Sequence, residues 1–116
     1  MIIAIDFDGT VVNWRNYPFV GAPLPYALET IKDLKALGHT IILNTVRCRD
    51  SLELAKNFFD GHGIQLDGYN VLDGQRAYSH SPKINADVFI DDKGLGCPLD
   101  KNGYVDWLKV REYFEL

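Results

Sequence analysis

The sequence predicts an α/β protein, a three-layer sandwich built on a mainly parallel sheet. Two observations lead there. Four short apolar runs rich in Ile, Val and Leu stand between turn residues, as strands covered on both faces do. The stretches between them repeat apolar residues every three or four positions, which is helical spacing. Strands alternating with helices form layers around one sheet, and ligands of such sheets gather beyond the carboxyl ends of the strands.

The first run is Ile2 to Phe7. A loop from Val12 to Pro23 follows, aromatic and Pro/Gly-bearing, and then a helix with Leu24, Ala27, Leu28, Ile31, Leu34 and Leu37 on one face and Gly38 as its C-terminal cap. The second strand is Thr40 to Asn44. Asp50 followed by Glu53 resembles a capping box, opening a helix that turns Leu54, Ala55, Phe58 and Phe59 inward and ends at Gly61 or Gly63. A weaker strand covers Gly68 to Leu72 and a fourth Ala86 to Ile90. The segments Asp73 to Pro82 and Lys93 to Gly103 are polar and read as loops. Tyr104 to Phe114 reads as a last helix with Val105, Leu108 and Phe114 toward the sheet. Phe58, Phe59, Tyr104 and Trp107 are read as packing residues.

A chain of 116 residues suits one domain, residues 1–116. Its net charge of -4 argues against an extended surface for nucleic-acid phosphates, although it leaves room for an enzyme acting on a nucleotide or one nucleic-acid end. Cys48 and Cys97 lie far apart with no CxxC spacing, and read as free thiols. The apolar N-terminus lacks a basic leader and meets a charge at Asp6, so it reads as a buried strand, neither signal peptide nor membrane span. The expectation is a soluble cytoplasmic protein.

The chemistry stands at the strand ends. The first strand runs into Asp6-Phe7-Asp8-Gly9-Thr10. Alternation puts Asp6 and Asp8 on one side, and Gly9 permits a sharp turn. The second strand ends in Asn44-Thr45, with Arg47 just behind. Lys83 precedes the fourth strand, which ends in Asp91-Asp92. In a parallel sheet all these groups converge on one rim. Carboxylates gathered at one point need a cation, and an all-oxygen set suits Mg²⁺ better than zinc. A hydroxyl and an ammonium opposite them suit the oxygens of a phosphoryl group.

The ordered set Asp6-Phe7-Asp8-Gly9-Thr10, Thr45, Lys83 and Asp91-Asp92 resembles the four motifs of the haloacid dehalogenase superfamily, over Ile2 to Asp92. The resemblance implies a Rossmann-like core and a magnesium-dependent phosphomonoester phosphatase. It makes Asp6 the nucleophile that becomes an aspartyl-phosphate and Asp8 the general acid/base, whose backbone carbonyl also holds Mg²⁺. Thr45 and Lys83 would bind the phosphoryl group, Asp91 and Asp92 would complete the metal site, and Phe7, Gly9, Thr10, Asn44, Val46 and Arg47 would line the substrate. An acid/base at position 8 also marks phosphatases off from the dehalogenase branch. The intervals between motifs leave no room for a separate cap domain, with Trp14, Arg15 and Tyr17 free to border the pocket. An uncapped site favours a bulky substrate, a tethered phosphate or closure by another subunit of a homo-oligomer.

Three other readings compete. A phospho-receiver domain has the same groups in a different strand order, which this chain does not follow. A catalytically weak member that binds a ligand or partner, and a phosphotransferase to an acceptor other than water, both stay open at this point.

Overall fold

The computed structural model describes residues 1–116. Strand β1 (Ile2–Ile5) leads to helix α1 (Ala27–Ala36), β2 (Thr40–Leu43), helix α2 (Arg49–Gly61), β3 (Gly68–Tyr69), a short 3-10 turn (Gln75–Ala77), β4 (Val88–Ile90) and helix α3 (Trp107–Tyr113). The four strands form one sheet in the order β3-β2-β1-β4, every pair parallel. The α/β class and the parallel sheet are therefore as expected. Neither interval between the site-bearing strands carries a separate folded module. No helix is long and apolar enough to cross a membrane.

The two faces of the sheet are unequal. Ile3, Ile5, Ile41, Leu43 and Ile90 pack with residues of all three helices into a cluster of 21 buried residues. The opposite face buries only Ala4 and Ile42 against Ile84, with Ile2, Leu72 and Ala86 partly covered. Topology explains the difference. The β1–α1–β2 and β2–α2–β3 crossovers step the same way, and right-handed connections put both helices on one side. The β3-to-β4 connection steps back across two strands and so passes over the other side. That segment holds Pro82 and a run of Ser, His and Lys with no helical periodicity, so the second layer is a 3-10 turn and extended chain.

Several local expectations shift. Helix α1 ends as Gly38 implied: Gly38 has φ +90°, its N–H reaches the Lys35 carbonyl (3.0 Å) and the His39 N–H reaches that of Leu34 (3.1 Å). Helix α2 begins at Arg49 with Cys48 as its cap; Ser51 Oγ accepts the Cys48 N–H (3.0 Å), and Asp50 lies inside the first turn. Strand β3 is two residues long. Helix α3 begins at Trp107 behind the cap Asp106, whose carboxylate accepts the Lys109 N–H (3.3 Å). Trp107 and Val110 are its buried residues and Leu108 is exposed, because the later start rotates the apolar face. Cys48 and Cys97 are both free.

Candidate metal and phosphoryl site

The Asp6 N–H donates to the Ile90 carbonyl (2.9 Å), which places Asp6 at the C-terminal rim beside the end of β4. Asp91 and Asp92 follow β4 directly. Parallel pairing thus joins residues from opposite ends of the chain: one carboxylate oxygen from each of Asp6, Asp91 and Asp92 lies within 4.8 Å of the others. Two oxygens sharing one Mg²⁺ at about 2.1 Å sit roughly 3 to 4 Å apart, so small side-chain movements would let this set hold a hard divalent cation. The donor set is all oxygen, as that ion prefers.

The turn after Asp6 is built around these carboxylates. The Phe7 carbonyl accepts the N–H groups of Thr10 (3.1 Å), Val11 (2.8 Å) and Val12 (3.2 Å). This folds Thr10 inward, fully buried, with its hydroxyl 2.9 Å from Asp6 Oδ2 and 3.4 Å from Asp92 Oδ1, while accepting the Asp92 N–H (3.1 Å). Trp107 Nε1 in turn donates to the Thr10 carbonyl (2.6 Å). Gly9 has φ +84°, and a Cβ there would fall 2.5 Å from Asp92 Oδ2 and 2.7 Å from the Trp14 ring. Only glycine fits.

Burial, then the neighbouring Asp91 charge and the Asp92 carboxyl, push Asp6 from 3.8 up to about 8, against the opposing hydrogen bonds of Thr10 and the Phe7 N–H. Without a cation Asp6 therefore keeps a proton across the range where the unfolded chain has lost it. Between 3.8 and about 8 the folded state binds more protons, so this group's contribution to stability declines as pH rises and is flat above about 8. A cation competes with that proton. The thermal stabilisation given by Mg²⁺ should consequently be larger at pH well above 8 than at mildly acidic pH, in melts with and without the ion. A gain that is equal at both, or larger in acid, contradicts a cation held by Asp6.

Asp8 does not join this group. Its carboxylate forms a bidentate pair with Arg47, Nε to Oδ2 at 2.7 Å and Nη2 to Oδ1 at 2.8 Å. Arg47 also donates to the carbonyls of Pro18 (2.6 Å), Ser51 (2.9 Å) and Phe19 (3.3 Å). All five guanidinium N–H bonds are used and the residue is 1% exposed, so Arg47 is a clasp inside the protein, unlike the substrate ligand its position suggested. Phe7 and Thr10, also expected at the substrate, turn buried side chains into the core and onto the acidic group.

Thr45 sits at the rim one residue past Asn44, whose N–H continues the β2 ladder to the Ile5 carbonyl (2.8 Å). The Thr45 N–H is held by Asn70 Oδ1 (2.8 Å) and its hydroxyl accepts the Arg47 N–H (3.2 Å). The Val46 side chain is 89% exposed. The N–H groups of Asp8 and Val46 take no part in the chain's own hydrogen bonds, leaving two donors near the ends of β1 and β2. Lys83 is exposed on the thinly covered face, with its ammonium 5.9 Å from the centre of the Phe89 ring and in no ion pair. The buried Gln75 fixes its backbone, donating to the Lys83 carbonyl (2.6 Å) and accepting the Asn85 N–H (2.9 Å).

Four contributors escaped the sequence reading: Asn70, Gln75, Lys93 and the role of Thr10 as a brace. Lys93 brings Nζ to 3.9 Å from Asp92 Oδ2 and 5.2 Å from the Trp14 ring centre. Its place directly after the acid pair was the one available signal. The largest hollow, about 600 Å³, lies between β4 and α3 and is not lined by the three carboxylates, of which Asp6 and Asp91 are half-buried and Asp92 is buried.

No protein-family model matches the chain, and no curated protein matches it. Among solved structures it is similar to one described as a conserved protein coded by a locus of Bacteroides thetaiotaomicron. The two are 36% identical with a TM-score of 0.85, over 99% of this chain and 89% of the other.

Proposed function

For a chain that shares its family with that Bacteroides thetaiotaomicron protein, we propose a magnesium-dependent phosphohydrolase acting on phosphomonoesters through an aspartyl-phosphate on Asp6. The observation that carries this reading is the convergence of Asp6, Asp91 and Asp92 at one rim of the sheet, from two neighbouring parallel strands. The order of groups along the chain adds support, because it is the one implied by the resemblance to the haloacid dehalogenase superfamily.

Asp6, Asp91 and Asp92 would hold Mg²⁺, together with the Asp8 carbonyl that the resemblance adds. Bound there, the ion would neutralise the carboxylates and draw charge from the phosphoryl oxygens. Thr45 and the Asp8 and Val46 N–H groups bind those oxygens, and Lys83, which lies beside Phe89 on the thinly covered face, joins them by swinging toward the rim. Asp6 Oδ forms a bond to phosphorus as the bond to the leaving oxygen breaks, and Asp8, once it has left its pair with Arg47 and taken up a proton, gives that proton to the leaving oxygen. Water then attacks phosphorus, Asp8 takes its proton, and the electron pair of the breaking bond returns to the Asp6 carboxylate.

The test is phosphate release from a panel of phosphomonoesters with Mg²⁺ and with chelator. Release that needs Mg²⁺, and falls by about tenfold or more in Lys83→Ala with a raised KM, is the expected result. Silence across the panel, or loss of thermal stability as the sole effect of Lys83→Ala, counts against the reading.

A further inference from the structure

The loop between β1 and α1 exposes three aromatic side chains, Trp14 (39%), Tyr17 (52%) and Phe19 (69%). It is held firmly from below. Arg47, through the Pro18 and Phe19 carbonyls, anchors the loop with the same guanidinium that grips Asp8. The Tyr17 ring covers one side of that guanidinium at 5.0 Å and the buried Phe7 ring lies at 5.1 Å. One buried cation therefore fixes the Tyr17 ring and the Phe19 backbone relative to Asp8. Val46, next to Arg47 in the chain, is exposed as well.

A ring already held in place, as that of Tyr17 is, loses little freedom when a ligand stacks on it, and Phe19 presents a second ring from an anchored backbone. The loop from Val12 to Pro25 contains no acidic residue and carries Arg15, in a chain of net charge -4. An acid-free aromatic rim beside a phosphoryl site suits an anion that also carries a planar ring. We infer that Tyr17 and Phe19 form a stacking subsite for the leaving group, so that the substrates are phosphomonoesters whose leaving group bears an aromatic or heteroaromatic ring. This rests on the phosphohydrolase reading for its orientation, with phosphate toward Asp6 and ring toward Phe19.

Benzyl phosphate and ethyl phosphate test it, because their leaving groups differ little in acidity and only one has a ring. The wild-type protein should prefer the benzyl ester by about tenfold or more in kcat/KM, and Phe19→Ala should bring that ratio close to one. Phe19 is the safer first variant because its ring is mostly in water, and Tyr17→Leu, which keeps cover over Arg47, is the second. A wild-type ratio near one, or a ratio unmoved in both variants, overturns the subsite. Calorimetric binding of adenosine monophosphate against ribose phosphate, with Mg²⁺, separates the two claims. A preference for the adenosine compound that Phe19→Ala removes keeps the subsite even if neither ester turns over, and then the hydrolytic reading alone falls. Equal binding of both compounds removes the subsite, whatever the esters show.

Discussion

Asp6→Asn should abolish turnover, by at least about 10⁴-fold in kcat, while leaving the fold intact. The amide is nearly isosteric and keeps an oxygen for the Thr10 hydroxyl, but it cannot form a stable acyl-phosphate. The same change should also alter stability in a direction that an ordinary active-site loss would not require. Asp6 is pushed up to about 8 by burial and by its acidic neighbours, so its ionised form is unwelcome in the cation-free fold. Removing the charge should make the Mg²⁺-free variant more stable than wild type above that pH, and it should shrink the stabilisation given by Mg²⁺. Acid quenching during turnover should trap a labelled phosphoryl group on the wild-type chain and none on the variant. A variant that still releases phosphate at a comparable rate removes the covalent route.

Arg47→Met should be the most destabilising single substitution outside the apolar core, by about 3–5 kcal/mol. The side chain is buried, and its removal leaves the Asp8 carboxylate without its cation and the carbonyls of Pro18, Phe19 and Ser51 without their donor. Arg47→Lys should recover little, since one ammonium with three donors cannot reproduce a planar fork with five. Combining Asp8→Asn with Arg47→Met should cost less than the two changes summed, because the buried charge goes with its partner. Denaturant midpoints of the four proteins measure this. Strict additivity would mean that the pair is not coupled in solution.

How far the sequence was legible follows from the range over which each feature is determined. The rim position of Asp6 and of the Asp91-Asp92 pair could be read because an apolar strand followed by an acid and a turn is a local pattern. Gly38 closing α1 was legible for the same reason. Residue types misled at the start of α2: Asp50 and Glu53 looked like a capping box, whereas Ser51 closes the turn onto Cys48. Leu108 was placed inward by counting the last helix from Tyr104, and the helix begins three residues later. The Arg47 clasp joins residues 39 apart, and no local rule selects Asp8 over the other acids of the chain as its partner. Gln75 and Asn70 act through amide contacts across loops, which composition and periodicity do not encode. The thin second layer was hidden because its segment had to be covering chain on topological grounds, without any pattern saying of what kind.

The indole of Trp107 reaches 97 positions back along the chain to the carbonyl of Thr10, and the Val105 N–H donates to the Gly9 carbonyl (3.1 Å). The turn that carries Asp6 is thus secured by a segment synthesised well after it. During biosynthesis the nascent N-terminal half would carry Asp6 before Asp91, Asp92 or this brace exists. The cluster of Asp6, Asp91 and Asp92 is accordingly a late product of assembly, braced only once helix α3 docks.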